Sequence, residues 1–238
     1  MLLASVEFDQ QVAPPVGFLD DLKRQAEAAK AAETTDVGVL ERNAALADAA
    51  CNTAFKYLNS LVQQLNVLKP VSKVTYRLDK RHAIDKLKLT DFRADARRKR
   101  LRGNEVFDHV VFRYQLKSGQ RLSLTKNFLP DIELLESRLR RSGAPMRNEA
   151  VKNPETGKLT EMRYEVIADF NASVQITPDH DGGRLRFELI NLDGFETVNV
   201  EFPAFEVGNA RLDELARWLM GEPNNFLKDG QNLRRVEA

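Results

Sequence analysis

The fold is decided by one stretch in the C-terminal half of the chain, Tyr164-Glu-Val-Ile-Ala-Asp-Phe-Asn-Ala-Ser-Val-Gln-Ile176. Every second residue from Tyr164 to Ile176 is apolar, and the residues between them are mostly polar or charged. Because successive side chains of a β-strand point to opposite faces, this alternation predicts a strand with one buried face. Such a strand is typical of an antiparallel sheet, since strands inside a parallel sheet are usually apolar on both faces.

Two turn signals extend this strand into a meander. Asp179-His-Asp-Gly-Gly183 and Asp193-Gly194 are rich in the residues that tight hairpin turns require. The apolar alternation resumes after each turn, over residues 185–189 and 198–202. We therefore predict three consecutive antiparallel strands.

Further strands and two helices are predicted around this meander. Alternation indicates strands over the ranges 73–79, 86–101, 105–116 and 122–124. The last two are predicted to be joined by a turn at Lys117-Ser-Gly119. Apolar residues at helical spacing predict helices near 130–142 and 210–220. The polar tail from Asn224 is predicted to be loose.

Residues 1–70 carry a helical pattern after a short strand predicted at 4–8. The first helix shows apolar residues at intervals of three and four from Leu19 to Ala29. Thr34-Thr35-Asp36 is predicted to interrupt it, with Asp36 capping a second helix that ends at Pro70. The expected arrangement is an antiparallel helical hairpin.

The second helix has the most regular spacing in the chain. Its apolar residues recur at intervals of four and three, the pattern of a helix-packing seam. The seam consists of Leu40, Ala44, Ala47, Cys51, Ala54, Leu58, Leu61, Leu65 and Leu68. Alanines in its first half favour close approach of a neighbouring helix. Its leucine-rich half requires cover from the sheet or from a second copy of the chain.

These patterns predict an α+β fold. An N-terminal helical hairpin is followed by a mainly antiparallel β-sheet or partial barrel with two further helices. We expect two domains, the hairpin with its short strand over residues 1–70 and the β-rich part over 71–238.

The composition excludes several classes of protein. The 238 residues include 36 Lys and Arg, 35 Asp and Glu, and one cysteine. A single cysteine excludes an intrachain disulfide and any cysteine-rich metal site. No apolar run reaches the roughly 18 residues that a membrane helix needs, and the first residues lack the basic start of a secretory signal. We expect a cytoplasmic protein without membrane insertion.

No sequence motif indicates catalysis. The chain lacks a phosphate-binding loop, a dinucleotide fingerprint, a zinc-protease helix motif and a nucleophile elbow. His82, His109 and His180 lie far apart in the sequence, and Cys51 lies in the alanine-lined seam, where a thiol acts as a small apolar side chain. We therefore predict no cofactor and no metal, and favour a non-enzymatic role, leaving open a site assembled from scattered residues.

The net charge of +1 conceals a strongly basic middle segment. Residues 71–126 carry a net charge of +10, against −3 before them and −6 after them. The highest density lies in the predicted strand at 93–102, with Arg93, Arg97, Arg98, Lys99, Arg100 and Arg102. Neither face of such a strand can easily be buried, which predicts an edge strand or a protruding arm. We propose Arg93, Arg97, Arg98, Arg100 and Arg102 as a candidate anion site.

Three kinds of anionic partner fit this basic strand: nucleic acid, a cyclic dinucleotide and an acidic protein surface. Arg98-Lys-Arg-Leu-Arg102 resembles the Arg-x-x-x-Arg half of the motif in PilZ-type cyclic dinucleotide receptors. The other half is matched only by Asn171-Ala-Ser173, with Ile176 where the motif has glycine. The sequence therefore assigns the chain to no family.

Two functional hypotheses follow. The first is a non-catalytic interaction or adaptor module that self-associates or docks a protein partner through the helical hairpin. The alternative is an anionic-ligand binder, for nucleic acid or a cyclic dinucleotide, that uses the basic strand at 93–102.

Overall fold

The computed structural model describes the backbone of residues 18–237, and the side chains of that range except 18–21 and 28–35. The strand predicted at 4–8 lies outside the described residues. The helices are α1 (Phe18–Leu68), α2 (Leu129–Ser142) and α3 (Asn209–Leu219), with a short 3-10 helix at Ala204–Glu206. Within residues 18–237, no helix combines the length and the apolar character needed to span a bilayer.

The strands form one large antiparallel sheet and one small one. The large sheet consists of β3 (Lys88–Leu101), β4 (Asn104–Lys126), β5 (Met146–Lys152), β6 (Leu159–Asp179), β7 (Arg184–Ile190), β8 (Glu196–Pro203) and β9 (Gln231–Glu237). The small sheet pairs β1 (Tyr76–Arg77) with β2 (Ala83–Ile84). The large sheet has the order β3-β4-β6-β7-β8-β9, with β5 paired to β6. It stays open in the described chain, so the antiparallel sheet is confirmed and no closed barrel forms.

The alternating stretch from Tyr164 to Ile176 forms the middle of β6. Register partners Phe112, Val174, Leu189 and Val198 run across four strands, and all four are buried. This row belongs to the inner face, which is the face that α1 covers; the opposite face is the outer face. The predicted meander is confirmed as β6, β7 and β8, because the alternation that defines their inner face is unbroken.

The turn predicted at Lys117-Ser-Gly119 is wrong, since β4 continues through it as a single strand of 23 residues. The register between β4 and β6 shifts there, so the extra residues form an irregularity within the strand. The Asp169 carboxylate accepts hydrogen bonds of 3.0 Å from the backbone N–H groups of Ser118 and Gly119. These bonds satisfy donors that the sheet ladder leaves free.

The predicted helical hairpin is not confirmed, because α1 is one continuous helix of 51 residues. Thr34-Thr35-Asp36, predicted to interrupt it, stays helical. Threonine and aspartate lower helix stability by only a few tenths of a kcal/mol each, and the stretch contains no proline to remove a backbone N–H. The end of α1 agrees with the stop expected at Pro70.

The small residues of the predicted seam are buried within the fold, where α1 contacts the sheet, α3 and the short 3-10 helix, and not against the partner of a helical hairpin. Ala47, Cys51, Ala54 and Leu58 are fully buried, and α1 contacts β3, β4, β6 and β7. Small side chains let the helix axis approach the inner face closely, as they would have allowed for another helix.

Side chains of α1 also hydrogen-bond to the strands beneath it. The Phe92 N–H donates to Asn66 Oδ1 over 3.1 Å, and Asn66 Nδ2 donates to the Phe92 carbonyl over 3.0 Å. The Phe107 N–H donates to Asp48 Oδ1 over 2.7 Å. Polar contacts therefore fix the position of the helix on β3 and β4.

The C-terminal elements agree with the sequence in part. Helices α2 and α3 lie in the segments predicted near 130–142 and 210–220. The tail predicted to be loose contains β9, which pairs with β8. The sequence pattern did not predict β9, because all of its side chains are exposed and a strand without a buried face shows no apolar alternation.

Candidate functional site

The basic strand lies at an edge of the large sheet, as its charge predicts. β3 pairs within the sheet only with β4 among the described strands. The two strands are joined by Arg102 and Gly103, whose φ angles are +47° and +83°. Two central residues with positive φ form the type I′ turn that matches strand twist. The arginines are therefore carried on a β-hairpin at the rim of the sheet.

The five candidate arginines do not converge on one site. Arg93 and Arg97 oppose Arg113 and His109 on the outer face. Arg98 and Arg100 follow Ala96 at alternate positions and lie on the inner face, where Ala96 opposes the buried Val110.

Arg102, at the turn, is bound to another part of the chain. Its guanidinium forms an ion pair with the Asp181 carboxylate in the β6–β7 turn. Asn43 Nδ2 of α1 donates a 2.7 Å hydrogen bond to the Asp181 carbonyl. Arg102 thus helps to join the hairpin, the β6–β7 turn and the helix, and its charge is neutralised there.

Arg98 lines a groove between α1 and β3, which we call the α1–β3 groove. Its guanidinium carbon lies 4.2 Å from the centre of the Phe107 ring, a cation–π distance. The groove has a volume of about 520 Å³ and is lined by Asn52, Phe55, Lys56, Asn59, Ser60, Ala96, Arg98 and Phe107. Two cations, two amides and two aromatic rings suit an anionic ligand with a flat apolar part.

The α1 side of this groove was missed in the sequence. Asn52, Phe55, Lys56 and Asn59 flank the packing seam, where polar residues at a helix surface usually indicate nothing but solvent. Phe55 is the residue that could have indicated the groove, since a large aromatic side chain beside the seam is expected to pack against another part of the protein. Its ring centre lies 6.2 Å from that of Phe107.

Residues of the predicted interaction seam have three different environments. Ala47, Ala54, Leu58 and Leu65 are buried in the fold. Leu40, Ala44 and Leu61 are half-buried, and Leu68, at the end of the helix, is 71% exposed. The buried members are therefore used by the sheet of the same chain.

The first half of α1 differs from the second. We call residues 18–42 the helical arm. The side chains of 22–27 and 36–39 are all exposed, including Leu22 and Val37 at 43% and 49%. Asn43, with its bond to Asp181, marks the point where the helix meets the sheet.

The helical arm continues the packed face of the helix. Leu22, Leu40 and Leu58 follow one another at intervals of 18 residues, which is about five turns. They therefore lie in one line along α1. Leu58 is fully buried under the sheet, while Leu22 is exposed.

Cys51 and His180 both lie in the core of the fold. Burial and the nearby Asp48 carboxylate raise the pKa of the Cys51 thiol to about 12. His180 is buried, and its Nε2 lies 2.9 Å from the Phe107 carbonyl. No group of three His, Cys, Asp or Glu residues suited to a metal ion occurs in the described part of the chain.

The chain matches no protein-family model, no curated protein and no solved structure.

Proposed function

We propose that this protein is a non-catalytic interaction module that self-associates through the helical arm of α1. The proposal rests on one observation: the face that packs on the sheet in the second half of α1 continues, exposed, along the first half.

The helical arm contains several residues that stabilise a helix only weakly. The arm spans 25 residues, about 38 Å, and includes Thr34, Thr35, Val37, Gly38 and Val39, all weak helix formers. Helicity in water is marginal for such segments, and packing of an amphipathic face normally supplies the difference. Contact with another helix along Leu22 and Leu40 would supply that packing.

A second copy of the arm is the occupant that fits best. In an antiparallel pair centred near residue 31, Leu22 of one arm lies beside Leu40 of the other, and Ala26 lies beside Val37. Residues 22–27 have a net charge of +1 and residues 36–42 a net charge of −1, so the same pairing places opposite charges together. A twofold, self-complementary contact of this kind closes as a dimer.

Sedimentation velocity of the whole chain between 1 and 100 µM tests this proposal. We expect a concentration-dependent dimer, and a folded monomer for the double variant Leu22→Asp, Val37→Asp. Arg42→Asp, which places a carboxylate on the opposite face of the same arm and keeps the two paired segments opposite in charge, is the matched control and should remain dimeric. A wild-type monomer across this range, or a double variant that still dimerises, would contradict the proposal. A monomer that captures a different protein through Leu22 would point to a heterologous partner.

A second candidate function is favoured by the α1–β3 groove. We propose that it binds an anionic ligand with an aromatic ring, a nucleotide being the simplest example. Support comes from Arg98 and Lys56 lining one groove with the rings of Phe55 and Phe107. The phosphate would then meet Lys56 and Arg98, and the base would meet the half-buried ring of Phe55, since Phe107 is only 2% exposed.

Titration with a cyclic dinucleotide and with a mononucleotide tests the groove. Binding should weaken steeply as salt is raised and should fall at least tenfold in Arg98→Gln. Arg97→Gln removes an equal charge from the other face of the same strand and should bind normally. Equal losses in both variants would indicate a diffuse charge effect and no specific site.

A further inference from the structure

A second cleft, on the outer face, gathers arginines from three elements. It has a volume of about 540 Å³ and lies where β7 ends. Its floor is a row of register partners across four strands, Arg93, Arg113, Ser173 and Ile190. Asp91, Asp95, Tyr114, Gln115, Arg141, Asn171 and Ala172 complete the lining. We call it the arginine cleft.

Arg93 and Arg113 stand directly opposite each other on β3 and β4. Like charges at directly opposed positions on one face destabilise a sheet. Among the described residues neither guanidinium forms a close ion pair or a side-chain hydrogen bond, although attraction to Arg93 contributes to the lowered pKa of the Asp91 carboxyl. The register therefore places two arginines side by side on one face of the cleft, and a bound anion would attract both of them.

Arg141 reaches the cleft from α2. The helix ends at Gly143, whose φ is +67°. A Cβ added at this glycine would lie 2.5 Å from Asn171 Nδ2, so the end of α2 lies close to the Asn171 side chain of β6. This approach fixes the last turn of α2, with Arg141, beside the row of strand residues.

The remaining polar groups are consistent with an anion. The side chains of Ser173 and Gln115, both half-buried in the cleft, have no hydrogen-bond partner among the described residues. Asp91 is occupied by Lys117, whose ammonium lies 2.8 Å from it, and this hydrogen bond lowers the pKa of the Asp91 carboxyl. The lining thus holds three arginines against two acids, Asp91 and Asp95, and keeps a net positive charge.

We propose that the arginine cleft binds the phosphate group of a small phosphorylated molecule. The guanidinium fork of arginine matches phosphate oxygens in pairs, and Ser173 and Gln115 add neutral donors. The volume lies within the roughly 300–1,000 Å³ of small-molecule sites. This site goes beyond the proposed function, since it lies on the opposite side of the sheet from α1.

Thermal unfolding of the full chain with inorganic pyrophosphate, against sodium chloride of equal ionic strength, tests the cleft. At about ten times the dissociation constant, the wild-type midpoint should rise by about 3–5 °C. Arg93→Gln and Arg113→Gln should each abolish this rise. Each should also raise the midpoint without pyrophosphate by about 1–2 °C, because the like-charge pair is removed.

Arg97→Gln is the matched control, since it removes an exposed charge from the same face of the same strand outside the cleft. It should keep the full pyrophosphate response. A wild-type protein that responds no more to pyrophosphate than to chloride would overturn the proposal. So would an Arg97→Gln variant that loses as much as Arg93→Gln. The pyrophosphate test does not depend on the oligomeric state. Failure of this proposal can therefore be distinguished from failure of the proposal that the helical arm self-associates.

Discussion

The two halves of α1 have the same kind of face and different surroundings. Over residues 43–68 the face is covered by the sheet, with Ala47, Ala54 and Leu58 fully buried. Over residues 18–42 the same line of the helix passes through Leu22, which is exposed. A regular stripe of leucine and alanine therefore shows that a helix packs, without showing what it packs against.

This difference explains why the helical hairpin was predicted. Small residues at intervals of three and four indicate a close neighbour, and the nearest helical segment in the sequence is the usual choice. The sheet took that place because β3 and β4 offer the apolar residues Phe92, Phe107 and Phe112 on their inner face. The two halves of α1 should therefore differ in thiol reactivity, in the cost of truncating a leucine and in amide hydrogen exchange.

The largest expected difference is in thiol reactivity. Cys51 is buried, and its pKa of about 12 leaves about one thiol in ten thousand ionised at pH 8. In a Cys51→Ser background at 1 µM, where the arm is expected to be unpaired, an Ala26→Cys thiol in the helical arm should react with a disulfide reagent more than about 1,000-fold faster. Reaction of native Cys51 should accelerate as pH rises, since the thiolate fraction increases tenfold per pH unit below the pKa. Equal rates at the two positions would show that the packed half opens freely.

Truncation of one leucine in each half gives the next largest contrast. Leu58→Ala creates a cavity under the sheet and should lower the free energy of unfolding by about 3 kcal/mol. Leu22→Ala should change it by less than about 0.5 kcal/mol in dilute, monomeric protein. Urea denaturation measures both. A cost above about 1.5 kcal/mol for Leu22→Ala would mean that the arm packs on its own chain.

Replacing Asn66 tests how much the hydrogen bonds between α1 and the Phe92 backbone of β3 contribute to stability. Asn66→Ala leaves the backbone N–H and carbonyl of Phe92 without their partners and should cost about 2 kcal/mol in the same measurement. Gln64→Ala, two residues away and exposed, should cost less than about 0.5 kcal/mol. Similar values for both would show that water replaces Asn66 without penalty.

The smallest effect is expected in the helical arm itself. Nothing lies within 4 Å of a Cβ placed on Gly38, so alanine fits there without a clash. Gly38→Ala should stabilise the arm by about 1 kcal/mol and slow its amide hydrogen exchange about fivefold. The free energy of unfolding of the sheet should not change. Slower exchange throughout the sheet would show that the two halves are coupled.

The sequence predicted those elements whose pattern depends on local chemistry. Alternation from Tyr164 to Ile176 identified β6 and its neighbours, and the density of arginine at 93–102 identified an edge. The continuity of α1 through Asp36 was missed because a low helix propensity weakens a helix without ending it. β9 was missed because an exposed edge strand has no buried residues to alternate.

The candidate sites were harder to predict, because each one combines residues that are distant in the sequence. The cluster of Arg93, Arg113 and Arg141 depends on strand register and on where α2 ends, neither of which is encoded by local spacing. The α1–β3 groove likewise joins Lys56 to Arg98 across two elements. Charge density located one strand of each site, and the fold supplied the rest.

Hydrogen exchange along α1, measured at 1 µM and at 100 µM, tests the central claim most directly. Residues 43–68 should be strongly protected at both concentrations, since their cover comes from the same chain. Residues 18–42 should exchange rapidly at 1 µM and become protected at 100 µM, as two arms pair. Equal protection of the arm at both concentrations, or rapid exchange at both, would contradict self-association through the exposed half of the helix.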